Sequence, residues 1–220
     1  MRSSIIIVVD EKSSFLCEAV ENLKKCRGRP RQFDENEALD KAIELFWTNG
    51  FDATCLDDLC VAMGIGRPSI YNAFGDKEAL FMRCLARYTE TVRSVPMQIL
   101  ETSDSIESSV YGYLKAVAEY STRDPRRTGC LLGSVASVAN DPKVREFLSC
   151  AIGLSQERIK KRLQGAVDSG ELPESFPVES RARRVMNATL ALATRARLGA
   201  QLAELMQDVE DGTSSVFAPL

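Results

Sequence analysis

The 220-residue sequence predicts an all-α protein that opens with a helix-turn-helix domain. Three observations carry this. Apolar residues recur three and four positions apart along most of the chain, which is the helical period. Few segments alternate as strands do. Two short helical segments are joined by the tight turn Gly64-Ile65-Gly66, too short to form a unit without helices on either side.

Residues 1–26 precede the helical block and are expected to form a poorly ordered N-terminal extension. Lys24, Lys25, Arg27, Arg29 and Arg31 then make a basic arm, and Gly28 and Pro30 keep it from being helical. Ala38, Leu39, Ala42, Ile43, Leu45 and Phe46 define a first helix over Glu35 to Thr48, ended by Asn49-Gly50. Thr54 is expected to cap the second helix, with Asp57 three residues on as its reciprocal partner. Leu56, Leu59, Cys60 and Met63 line that helix's buried face. A third helix starts near Pro68, a residue tolerated in a first turn, and stops at Gly75. Asp76 caps a long helix expected to reach the region of Pro96.

Beyond it, helices are expected over Ile106 to Tyr120, Cys130 to Ala139, Pro142 to Val167, Val178 to Leu198 and Ala200 to Val209. Residues 27–91 read as one domain with its basic arm, residues 92–211 as a second helical domain, and residues 212–220 as a C-terminal tail.

Composition narrows the chemistry. Hydrophobic residues make up 45% of the chain and charged residues 27%, which suits a folded globular protein. The formal net charge is −3, so any binding of nucleic acid must use a local basic patch. There is no histidine, which excludes Ser-His-Asp triads, Cys-His pairs and HExxH zinc sites. The seven cysteines are odd in number and contain no CxxC, so a reducing cytoplasm is the expected location. No apolar run approaches the roughly 18 residues that cross a bilayer. Asp57 and Asp58 are adjacent and diverge on a helix, and no P-loop or GxGxxG occurs. An enzyme is therefore not expected, nor a metal or a cofactor.

The chemistry that remains lies between Thr54 and Lys77. In the third helix Ile70 and Phe74 are four apart and can face the core together, leaving Ser69, Asn72 and Ala73 outward. Asparagine suits an adenine edge, serine a base or phosphate, and alanine a thymine methyl. Arg67, just before the helix, can reach a base edge or the backbone. Thr54 and Tyr71 can donate hydroxyls to phosphate, and Lys77 can pair with phosphate as a point charge. The arm can lie in a minor groove. Candidate DNA contacts are Arg29, Arg31, Thr54, Arg67, Pro68, Ser69, Tyr71, Asn72 and Lys77. Two other readings stay open: a helical protein-interaction module, and a thiol-based redox-sensing regulator. The second rests on Cys130, placed at a helix N-terminus after Arg126 and Arg127, where a thiol pKa falls.

The span from Gly28-Arg29-Pro30-Arg31 to Tyr88 resembles the DNA-binding domain of the TetR family of bacterial transcriptional regulators. The matching segments are Ala38…Ala42…Leu45-Phe46, Gly50-Phe51-Asp52-Ala53-Thr54, Leu56-Asp57-Asp58-Leu59, Ala62-Met63-Gly64-Ile65 and Ser69-Ile70-Tyr71-Asn72-Ala73-Phe74-Gly75-Asp76-Lys77 through Phe81. Ile70 stands where the family commonly has leucine, and Ala73 where it often has histidine. Gly129-Cys130-Leu131-Leu132 with Ala136 and Asp141-Pro142 resembles one branch of the family.

The resemblance implies a homodimer that leaves its double-stranded DNA operator when an effector binds; two-fold symmetry makes the operator an expected palindrome, repression is expected because it needs only occupancy of a promoter, and the absence of histidine favours a small organic ligand over a metal. It implies that the second domain holds the effector pocket and the dimer interface. Candidate pocket residues are Tyr111, Tyr113, Tyr120, Cys130, Asn140 and Met186. Candidate interface residues are Val185, Leu190, Leu192, Ala193, Leu198, Leu202 and Leu205, which fit an intramolecular core equally well.

Overall fold

The computed structural model describes residues 33–103, 105–135 and 141–219. Nine α-helices and one π-helical turn make up the secondary structure of these residues, and no strand occurs among them. Arg29 and Arg31 of the arm, Asn140 and the whole of residues 1–26 lie outside the described residues.

The first four helices form an N-terminal head. Helix α1, Glu35–Asn49, starts where the Asp34 carboxylate accepts from the backbone N–H groups of Asn36 and Glu37 at 2.7 and 3.0 Å. It ends where Gly50 turns to φ 86°. Helix α2 is Leu56–Met63, α3 is Arg67–Phe74 and α4 is Lys77–Thr91. Ile70 and Phe74 of α3 are buried as their spacing demands, against Leu59, Met63 and Leu80. Aromatic edges lock the base of the head: Phe46 and Phe51 each lie 4.8 Å from Phe81, and Trp47 meets Tyr88 at 5.1 Å and 90°. Arg87 of α4 grips Asp40 of α1 with two hydrogen bonds of 2.6 Å.

Cys55, not Thr54, caps α2. The Cys55 thiol accepts from the Asp58 N–H at 3.4 Å, and the Asp58 carboxylate accepts from the Cys55 N–H at 3.2 Å. Thr54 is buried and its hydroxyl donates to the Gly50 carbonyl at 2.6 Å. Thr54-x-x-Asp57 and Cys55-x-x-Asp58 are two capping frames offset by one residue. The Cys55 frame is the one adopted, and the helix buries Leu59 and Met63.

The expected long helix from Asp76 to Pro96 is two helices. Pro96 cannot donate to the carbonyl four residues back, and its ring would collide with it. Helix α4 therefore stops at Thr91, and α5, Ser94–Thr102, begins with Pro96 in its first turn, where the missing N–H costs nothing. Helix α6 is Ile106–Thr122, α7 is Pro142–Asp168, α8 is Val178–Arg197 and α9 is Leu202–Phe217. Gly112 lets α5 approach α6 closely: a Cβ there would stand 2.8 Å from Ile99 Cγ2.

Leu131–Val135 is a π turn within the segment expected to be a helix from Cys130 to Ala139; residues 136–139 lie outside the described residues. Helix α9 runs eight residues past the expected end at Val209 and buries Val216, so the expected tail from residue 212 is largely helix. The second core joins α5 to α9 around Leu100, Leu114, Ile159, Leu163, Val185 and Leu205. The first core does not stop at the head: Leu131, Leu132 and α7 residues Val144, Phe147 and Leu148 are part of it.

Candidate nucleic-acid interface and inner cavity

Helix α3 keeps Ile70 and Phe74 inward, which turns Arg67, Pro68, Tyr71 and Asn72 to the exposed side. Tyr71 is 50% exposed despite its size, so its ring and hydroxyl are available. Ser69 is half-buried near the N-terminus of α3. No side chain caps that terminus; Pro68 has no N–H, and the Ser69 N–H donates to the Gly66 carbonyl at 2.9 Å. An anion is favoured there, as at other helix N-termini.

Two candidate contacts are differently placed from the expectation. Thr54 does not stand on the exposed side with the others: it is buried, and its hydroxyl donates to the Gly50 carbonyl. Lys77 is not a loose surface charge. Its ammonium donates to the Phe51 and Thr54 carbonyls, both at 2.9 Å, and sits 4.4 Å from the Phe51 ring centre. One N–H remains for a phosphate. Lys77→Ala is therefore expected to lower the unfolding free energy by about 2 kcal/mol, as the loss of charged hydrogen bonds to buried carbonyls does. Urea denaturation measures this. Wild-type stability in the variant would mean that the strap from α4 to the loop before α2 holds nothing.

Arg67 forms a two-point pair with Asp57 of α2, at 2.8 and 2.7 Å. The guanidinium holds the Asp57 carboxyl below the usual carboxylate range. Sequence reasoning placed Arg67 on DNA but missed this acidic partner across the turn. A carboxylate ten residues back gives no periodic signal.

A cavity of about 70 Å³ opens behind the head, where the end of α4 meets α5, α6, α7 and α8. Tyr113, Tyr120, Cys130 and Met186 line it as expected from sequence, and so does Leu190, which was expected in the dimer interface. Tyr111 does not line it; it packs on the second core from the outer side of α6. The wall also takes Tyr88, Arg93 and Thr189, which sequence reasoning missed. Tyr88 continues the buried stripe of Phe81, Cys84 and Leu85 along α4, whereas Arg93 lies past the end of α4, at the break before α5. Burial raises the Tyr88 hydroxyl well above its ordinary pKa and raises that of Tyr113 as well. The Tyr88 hydroxyl donates to Cys130 Sγ at 3.5 Å, and Tyr113 and Thr189 hydroxyls are 3.2 Å apart.

Cys130 does not stand at an α-helix N-terminus, and the arginines before it are engaged elsewhere. Arg126 and Arg127 both pair with Asp124, and Arg127 also pairs with Glu44 of α1. The same loop carries the Thr128 carbonyl, which accepts from the Trp47 indole at 3.3 Å. Head and cavity wall are thereby tied through α1 as well as α4.

Four of the expected interface residues are core residues. Val185, Leu192, Ala193 and Leu205 are all under 5% exposed within one subunit; Val185, Leu192 and Leu205 belong to the second core, and Ala193 lines the cavity. Leu198 and Leu202 remain outside, 83% and 38% exposed, at the joint between α8 and α9.

Residues 38–84 match the family model described as "Bacterial regulatory proteins, tetR family", and residues 109–208 match "Tetracyclin repressor-like, C-terminal domain". The HTH-type transcriptional repressor ComR of Escherichia coli (strain K12) is 31% identical over 193 residues, covering 86% of this chain and 92% of ComR. The HTH-type regulator YezE of Bacillus subtilis (strain 168) is 28% identical over 194 residues, 86% of this chain and 99% of YezE. A solved structure of a cysteine mutant of the TetR family regulator CifR, complexed with 26-base-pair double-strand operator DNA, superposes with a TM-score of 0.79. It is 29% identical and covers 85% of this chain and 99% of that one. None of the described helices is long and apolar enough to cross a membrane.

Proposed function

The chain belongs to the TetR family of bacterial transcriptional regulators, and from that premise we propose that it is a homodimeric repressor that leaves a palindromic operator when a small organic ligand enters the inner cavity. It is a DNA-binding regulator rather than an enzyme. The observation that carries the ligand step is helix α4. Its N-terminus is capped beside α3 by Asp76, and its last turns supply Tyr88 to the cavity wall. A ligand that prefers another placement of Tyr88 and Arg93 therefore moves the recognition helix.

On this reading α3 enters the major groove, with Asn72, Tyr71, Ser69, Pro68 and Arg67 against the DNA, and the arm with Arg29 and Arg31 follows the minor groove. Residues 27–91 act as the reading head. The helices from α5 to the end of α9 act as the effector and dimerisation domain, and the protein works in the cytoplasm. Two heads on a two-fold axis sit about 34–36 Å apart, one helical turn of DNA, or a multiple of it. A rigid pair gains avidity from two half-sites and loses it when the separation changes.

Footprinting on DNA upstream of its own gene is expected to give one protected, approximately palindromic site, with transcription from that promoter rising when the protein is removed. A monomer in solution that protects no site would overturn the dimer and the operator together. Transcription falling on removal of the protein would overturn repression alone.

A further inference from the structure

We propose that the inner cavity takes a compact organic anion, an apolar body carrying one carboxylate, and that Arg93 is the partner of the carboxylate. This rests on the reading of the cavity as an effector site and adds the chemical class of the ligand.

The cavity wall is mostly apolar, with Val117, Ile152 and Met186 among its residues. Most of its polar groups already have partners within the wall. Tyr88 is bonded to Cys130, and Tyr113 to Thr189. Arg93 is different. Its half-buried guanidinium donates to Ser155 Oγ at 2.9 Å and pairs with no carboxylate among the described residues. Ser155 spends its own proton on the Ala151 carbonyl at 2.9 Å, so it presents a lone pair that fixes the guanidinium without neutralising it. A guanidinium has five N–H donors in a planar fork that matches a carboxylate with two parallel bonds. A cation held against an apolar cavity, with donors in reserve and no counter-charge, selects an anionic head. The Arg93 charge also reaches the buried hydroxyls of Tyr88 and Tyr113, where it opposes the effect of burial.

Size and place complete the case. About 70 Å³ admits a body of one ring or a short chain, not a long lipid. Arg93 is the residue at which α4 gives way to α5, and its own N–H still bonds the Tyr88 carbonyl at 3.3 Å. A carboxylate pulling on this guanidinium acts at the joint between cavity and head.

The test uses the purified full-length protein and four acids, benzoate, phenylacetate, 3-phenylpropionate and hexanoate, each beside its neutral amide. Calorimetric affinity and release of operator DNA are read for every compound. At least one acid is expected to bind about tenfold to a hundredfold tighter than its amide, the range of a charged hydrogen-bonded pair. Arg93→Gln is expected to abolish that preference and Arg93→Lys to keep part of it, with thermal melting used to confirm that both variants fold. Amides that bind and release operator as well as acids would overturn the anion assignment and leave the effector site standing. An acid preference that persists in Arg93→Gln would overturn the role of Arg93. If no compound binds while operator binding is intact, the anion assignment and the effector reading fall together.

Discussion

Replacing Arg181 by alanine is expected to lower the unfolding free energy by about 3 kcal/mol, more than any surface change in the reading head, because it removes buried charged hydrogen bonds. Arg181 opens α8 and is 2% exposed. Its two terminal nitrogens donate to the carbonyls of Ser215 and Ala218, at 2.7 and 2.6 Å, and its guanidinium lies 5.9 Å from the Phe176 ring centre. These carbonyls belong to the end of α9, where a helix runs out of its own donors and carries partial negative charge. One arginine therefore seals the last turn of the fold from inside. Arg184 also reaches the Ser215 carbonyl, at 3.1 Å, so the loss falls mainly on Ala218. Nε of Arg181 is buried without a hydrogen-bond partner among the described residues, a cost that the alanine removes and that keeps the net loss from being larger. Arg181→Met fills the space without donors and is expected to recover about half of the loss by area burial. Urea denaturation at fixed protein concentration measures both variants. An alanine variant within 1 kcal/mol of wild type would show that water satisfies the end of α9 as well as Arg181 does.

The reading head was largely legible in the sequence because its signals are local. Asp34, Asp76, Gly50 and Gly75 bound their helices by capping and turn chemistry that acts within four residues. Thr54 shows where local signals become degenerate: two adjacent capping frames satisfy the same rule, and the chain caps with Cys55 while the Thr54 hydroxyl bonds the Gly50 carbonyl. Lys77 shows the limit for charges. A lysine before a long helix reads as a phosphate contact, and nothing local reveals carbonyls 23 and 26 residues earlier that hold it. The cavity was half legible. Tyr113, Tyr120 and Met186 lie on helices whose inner faces are periodic, whereas Arg93 points inward because of a break in the chain. The outer helices were least legible, since an apolar stripe has the same period whether its own subunit or a second copy covers it.

That last ambiguity gives the largest expected effect on DNA binding. In the proposed homodimer, the exposed positions open to a partner copy are Ala191 and Thr194 on α8, Leu198 just past its end, and Leu202, Ala203 and Gln207 on α9. Leu198, 83% exposed, places a large apolar side chain in solvent beside small residues that permit close approach of another helix. Around them the charges differ between the helices, but arginines of α8 are engaged within the subunit, Arg195 with Asp208, Arg183 with Glu179 and Arg184 with the Ser215 carbonyl. The double change Ala191→Asp with Leu198→Asp puts four unpaired carboxylates into that symmetric contact, two from each subunit. Desolvating them is expected to yield a folded monomer whose operator affinity is lower by about a hundredfold to ten-thousandfold, the avidity of two linked half-sites. Val185→Ala is the contrasting case. Val185 is fully buried within the subunit, so this variant is expected to lose about 2 kcal/mol of stability as a cavity mutant while remaining dimeric. Sedimentation equilibrium with operator titration separates the two signatures. A double variant that stays dimeric with wild-type affinity would place the interface elsewhere, and a Val185→Ala protein that dissociates without loss of subunit stability would return Val185 to it.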